Sequence, residues 1–145
     1  MIKVNDEQAG YAIAKAVDSS FCPDRDQVIS RHEGDELYGG VIFQWYCGAS
    51  IQAQLAGFKP NWVTSDFLWA SFHYPFEQLN CKVLFATTKS TNTRALRIYA
   101  KLGFSERMRT PNTFHDGSDL VMLSMARVEC RWLKLSPSTK FRVAA

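Results

Sequence analysis

The 145-residue chain predicts a mixed α/β sheet, antiparallel in its first half and parallel around two later helices. Three observations lead there. The first half holds short strand-length runs separated by turn residues. The second half reads as helix, strand, helix and two closing strands. At 46% hydrophobic and 13% aromatic residues against 21% charged, composition supports one packed domain.

Ile2 to Val4 predicts a short first strand, and Glu7 to Val17 a helix with Ala9, Ala12, Ile13 and Ala16 on one face and Asn5 or Asp6 as cap. Val28 to Arg31 starts a strand, and Glu33-Gly34-Asp35 turns it. Leu37 to Tyr46 is a strong apolar strand in which Gly39-Gly40 marks a bulge or the close approach of another group. Ser50 to Ala56 alternates Ile51, Ala53 and Leu55 against Gln52 and Gln54, completing a meander. Thr64, Ser65 or Asp66 caps a helix that runs to Leu79. Pro75 inside it lacks a donor, so a bend near Ser71 is expected. Lys82 to Thr87 is a buried-type strand, Thr93 to Leu102 a helix closed by Gly103, and Ser105 to Thr110 with Leu120 to Ala126 the closing pair. The expected domain covers 1–132, followed by a basic tail over 133–145 whose last residues should be loose.

Several classes are disfavoured. Net charge is only +3, without the dense basic stripe of a nucleic-acid groove. Cys22, Cys47, Cys81 and Cys130 are scattered, and His32, His73 and His115 lie at no metal-ligand spacing from them, so reduced thiols and no metal are expected. No basic stretch leads into an apolar run, and no stretch approaches 18 apolar residues. The expectation is a cytoplasmic protein without signal peptide or transmembrane helix.

One segment carries most of the functional information. Asn92-Thr93-Arg94-Ala95-Leu96-Arg97-Ile98-Tyr99-Ala100-Lys101-Leu102-Gly103-Phe104 follows the strand Val83 to Thr87. Its Asn92, Ala95, Tyr99, Lys101, Gly103 and Phe104 resemble the second-half signature of the GNAT acetyltransferases, the acetyl-CoA-dependent N-acetyltransferases. Downstream, Phe114-His115-Asp116-Gly117 and Asp119 to Met125 resemble the last hairpin of the branch that acetylates ribosomal proteins. The likeness spans residues 37 to 126. The short N-terminal half also resembles small acetyltransferase-like proteins of tailed phages, which would place the protein in a host cytoplasm with a host or virion protein as target.

The resemblance implies a twisted, mainly antiparallel sheet with helices on both faces and a splay between its two central strands, into which the pantetheine arm of acetyl-CoA slots. It implies that backbone at Leu55, Ala56 and Gly57 bonds the arm, that Asn92 binds its amides, and that Tyr99 is the general acid for the departing thiolate. The acceptor would be a primary amine on a protein or small molecule, bordered by His115 to Asp119 and Glu33 to Glu36, and the protein a monomer or homodimer. The family's glycine-rich pyrophosphate loop is altered here: Gly57-Phe58-Lys59-Pro60-Asn61-Trp62-Val63-Thr64-Ser65 puts Pro60 and Trp62 where glycines belong. Val63, Thr64 and Ser65 remain as candidates for the phosphates, with Lys59 adding charge.

Each residue also has a plain structural reading. Asn92 is a good helix cap, Gly103 a good helix stop, and Tyr99 an ordinary half-buried tyrosine. No acidic residue stands out as general base, since Gln52 and Gln54 occupy the strand where relatives carry Glu. Trp45, Tyr46, Trp62 and Trp69 suit an acceptor pocket or simple core packing, and His73 a base or a packed kink. Arg94, Arg97 and Lys101 share a helix face suited to phosphate or solvent. Two rivals to the enzyme are a binding protein of the same fold without transfer activity, and a nucleic-acid binder using those basic residues.

Overall fold

The computed structural model describes residues 1–135 and the backbone of 143–144. Strand β1 (Ile2–Val4) leads to helix α1 (Glu7–Ala16), then to β2 (Gln27–Glu33), β3 (Glu36–Gln44) and β4 (Ser50–Gly57). Helix α2 (Ser65–His73) follows, then β5 (Val83–Lys89), α3 (Thr93–Leu102), β6 (Ser105–Thr110) and β7 (Leu120–Ala126). Short 3₁₀ turns at Arg127–Glu129 and Arg131–Lys134 precede β8 (Val143–Ala144). The strands form one sheet in the order β6-β7-β5-β4-β3-β2-β1-β8. All neighbours are antiparallel except β4 with β5 and β1 with β8.

The two sheet faces are covered by different helices, as period-2 alternation requires. On one face Ile13 and Ala14 of α1 pack on Val28 and Ile42. On the other, Phe67 and Phe72 of α2 and Tyr99 and Leu102 of α3 pack on Val41, Phe43, Ala53 and Leu84. Burying one such aromatic or aliphatic side chain stabilises by about 1.5–3 kcal/mol.

Helix ends follow local chemistry. Asp6 caps α1 by accepting from the Ala9 N–H at 3.0 Å. Thr64 caps α2, accepting from the Phe67 N–H at 3.3 Å. Gly103 ends α3 at φ 108°, in the left-handed region. The Phe104 N–H then bonds the Tyr99 carbonyl at 3.0 Å, and the Phe104 ring meets the Tyr99 ring edge-on at 5.3 Å. The Gly-Phe pair therefore closes the helix and fixes the tyrosine in one step.

Three expectations change in detail, and the bulge expected at Gly39-Gly40 is found: the β2–β3 ladder shifts register between Arg31 and His32, beside Gly39. The helix expected to run to Leu79 is α-helical only to His73 and goes on as a π-helical turn at Tyr74–Gln78. Pro75 cannot donate, and the Leu79 N–H bonds the Tyr74 carbonyl five residues back at 3.1 Å. The strand expected to reach Tyr46 ends at Gln44, because Trp45 takes φ 58°. The last strand of the sheet, β8, pairs with β1 where only a tail was anticipated. Leu133 packs on the core and the Trp132 indole N–H donates to the Leu102 carbonyl at 2.7 Å. The remainder of the expected tail, 136–142 and Ala145, lies outside the described residues.

Candidate active site

Strands β4 and β5 pair only from Ser50 with Val83 to Ala53 with Ala86. Beyond that point β4 stays with β3 as far as Gly57, while β5 stays with β7 as far as Lys89. A wedge-shaped gap opens between them. The Phe58 N–H donates to the Tyr38 carbonyl at 2.9 Å. By antiparallel alternation, Ala56 and Gln54 also turn their backbone groups toward β3. Leu55 and Gly57 then present theirs to the gap.

Tyr99 of α3 closes on this open edge. The Leu55 N–H donates to the Tyr99 hydroxyl oxygen at 3.1 Å. The side chain is only 2% exposed. Burial pushes its pKa up to about 12, against a smaller downward pull from the Leu55 N–H. Because the hydroxyl accepts from Leu55, its own proton remains to be donated.

The gap continues into a cleft of about 120 Å³. Leu55, Ala56, Gly57, Asn92 and Tyr99, five of the residues singled out from sequence, all line it. Asn92 also caps α3, its side-chain oxygen accepting from the Ala95 N–H at 3.1 Å. Its amide nitrogen and the second lone pair of that oxygen are left for a ligand. Arg94 stands on the same wall.

Val63, Thr64 and Ser65 are not brought to this cleft. Trp62 stands there instead, 3% exposed, and forms a wall common to the cleft and to a small apolar void of about 20 Å³ beneath. Val63 lines that void. The indole rests on two glycines: a Cβ at Gly57 would lie 2.1 Å from the Trp62 Nε1, and one at Gly39 2.3 Å from its ring. This is the close approach that the Gly39-Gly40 pair signalled. Lys59 is held by Glu36 at 2.7 Å.

The α1 side of the gap is polar. Gln52 Nε2 donates to Thr87 Oγ1 at 3.3 Å, and Gln54 Nε2 to Ser19 Oγ at 3.3 Å and Gln44 Oε1 at 3.2 Å. Lys89, at the end of β5, meets Asp18 at 2.5 Å and Asp116 at 3.4 Å and lies 5.0 Å from the Phe114 ring centre. The Ser118 hydroxyl and N–H, with Lys89 beyond them, hold the Asp116 carboxyl at about 2. Sequence reasoning missed Lys89 and Asp18, which lie at element ends and match no motif. Glu33 to Glu36 sit at the same end of the sheet, with Glu33 paired to Arg31 at 2.6 Å. The other aromatic candidates lie elsewhere. Trp45 is 68% exposed at the far end of β3. Trp69 stacks on His73 at 4.4 Å over β1 and β2.

No protein-family model matches the chain, and no curated protein sequence matches it. Solved structures do. The spermidine/spermine N-acetyltransferase SpeG of Vibrio cholerae superposes with TM-score 0.68 at 13% identity, over 88% of this chain and 95% of that one. The acetyltransferase candidate YncA of Salmonella typhimurium, solved with acetyl-CoA as its cofactor, gives 0.66 at 16% identity, over 87% and 92%. A third structure, described as a probable acetyltransferase, gives 0.63 at 14%, over 72% of this chain. The chain spans 64% of that protein's length. At these identities the common property is the fold, which is that of the GNAT acetyltransferases. Among the described residues no helix is long and apolar enough to cross a membrane.

Proposed function

We propose that this chain is an N-acetyltransferase that moves an acetyl group from acetyl-CoA directly to a primary amine. One observation carries the reading: the Tyr99 hydroxyl, 3.1 Å from the Leu55 N–H, stands at the open end of the splay with its proton undonated. A pantetheine thioester bound in the gap would supply an activated acetyl group.

The chain's own groups then have distinct tasks. Once the thioester displaces the Tyr99 hydroxyl from it, the Leu55 N–H would be the donor that holds the carbonyl oxygen, and one such donor is typically worth about 10²–10³ in rate. Tyr99 stays protonated at every physiological pH, since its pKa is pushed up to about 12. That also makes it a weak acid. Full transfer to a thiolate of pKa about 8.5 would be uphill by about 5 kcal/mol. Tyr99 therefore serves by donating a hydrogen bond to charge developing at sulfur rather than by releasing its proton early. Leu55 to Gly57 offer a strand edge to the arm, and the Asn92 amide nitrogen a further contact. The amine would approach from the α1 side, near Gln52 and Gln54, and lose its proton through water.

The candidates for acceptor are a protein α-amine, a lysine or a small amine. SpeG, an N-acetyltransferase of spermidine and spermine, supports an amine in general. A second reading, a binding protein of this fold without transfer activity, is favoured by the Trp62 wall. Tyr99→Phe separates the two. Acetyl transfer to α-amine peptides, lysine peptides or polyamines should occur in the wild type and fall at least about tenfold in the variant, with CoA affinity nearly unchanged. Transfer that is undiminished in the variant would remove Tyr99 from the mechanism, and no transfer by the wild type would favour the binding protein.

A further inference from the structure

The cleft treats the two halves of a CoA-type donor differently. Its inner half matches a pantetheine arm: a strand edge from Leu55 to Gly57 that pairs with no strand on that side, and an amide at Asn92. Its outer half offers a diphosphate few donors. The Phe58 and Lys59 N–H groups are both committed to the Tyr38 carbonyl, at 2.9 and 3.3 Å. Pro60 has no N–H to give. The Thr64 hydroxyl and the Phe67 and Leu68 N–H groups are used within the cap of α2, which spends two of the four N–H groups of its first turn. Asp66 puts a carboxylate in the first turn of that helix, where a phosphate would want positive charge. Lys59 is neutralised by Glu36. Trp62, seated on Gly39 and Gly57, lines the cleft, and Val63, Thr64 and Ser65 do not.

We infer that this chain recognises its donor by the pantetheine arm and draws little affinity from the 3′-phospho-ADP portion, so that its donor class is pantetheine thioesters, with acetyl-CoA one member. The inference rests on the acetyl-transfer reading above, and it goes further by naming which part of the donor is read. A diphosphate held by two charge-assisted hydrogen bonds would gain on the order of 10²–10⁴ in affinity. Among the described residues the one cation on the cleft wall is Arg94, which belongs to α3 and is exposed. It supplies a salt-screened gain of less than about tenfold.

Calorimetric titration of the full chain with CoA, with pantetheine and with adenosine 3′,5′-bisphosphate tests this, alongside transfer from acetyl-CoA and acetyl-pantetheine. Pantetheine should bind within about tenfold of CoA, and the bisphosphate should fail to displace either. CoA binding at least 100-fold tighter than pantetheine, or displacement of CoA by the bisphosphate, overturns the inference and leaves the acetyl-transfer reading intact. Equal binding of CoA and pantetheine with no acetyl transfer from either thioester upholds donor recognition and removes the transferase. Binding of neither removes both.

Discussion

From Ala53 to Gly57 the chain leaves backbone groups facing an open gap, whereas from Pro60 to Thr64 it fills the neighbouring space with an indole. The first region is strand β4 after it has parted from β5, its Leu55 N–H met only by the Tyr99 hydroxyl. The second is the loop into α2, drawn onto the sheet by Trp62 over Gly39 and Gly57. Within the first region the groups suited to catalysis are held in place by ordinary helix chemistry: the Asn92 cap at one end of α3, and Gly103 with Phe104 at the other. Within the second, the same kind of packing puts Trp62 on the cleft wall. On the reading proposed here, fold likeness and ligand likeness separate along a single cleft.

The largest expected effect on that contrast comes from the indole itself. Trp62→Ala should cost about 3–5 kcal/mol of stability in chemical denaturation, as large-to-small changes of buried aromatics do. Gly57→Ala alone should cost about 1–3 kcal/mol, because its Cβ would meet the indole. In the Trp62→Ala background that cost should nearly vanish. Strictly additive costs would mean that the glycine and the indole are not matched.

Next comes the alkaline limb of stability, which probes the first region. Tyr99 has a folded pKa pushed up from 10.0 to about 12. Its contribution is fully present below pH 10 and is lost as pH rises through 12, because the unfolded chain ionises first. The two-unit difference corresponds to about 3 kcal/mol at most. Tyr99→Phe should lose that much less stability than wild type between pH 10 and 12. Parallel pH profiles would show that the hydroxyl is not buried as described.

Much of the fold was legible because it rests on local signals. The alternation at Ser50 to Ala56, the cap at Asn92 and the stop at Gly103 each predict an element that formed. Gly39-Gly40 pointed to a close approach without naming the partner, since the partner, Trp62, lies 23 residues away in the chain. The π-helical turn was not legible. Pro75 announces a missing donor but not which way the helix will accommodate it. Nor was the β1–β8 pairing, in which two residues join the sheet with no pattern of their own. For the site, Tyr99 and Asn92 were singled out through a motif confined to one helix, and Leu55 to Gly57 through the splay that the resemblance implied; the structure brings all five to one cleft. Thr64 and Ser65 were offered for their helix-start chemistry alone, and only three-dimensional packing reveals that Trp62 lines the cleft in their place. Lys89 and Asp18 meet across 71 residues, so no spacing rule reaches them.

The most direct test of the contrast reads both regions at once. In a ¹⁵N-resolved amide spectrum titrated with CoA, the Leu55 and Gly57 amides should shift most, because the ligand replaces the Tyr99 hydroxyl and fills the open edge. The Ser65 and Asp66 amides at the start of α2 should barely move. The account is contradicted if Ser65 and Asp66 carry the largest shifts while Leu55 stays where it was.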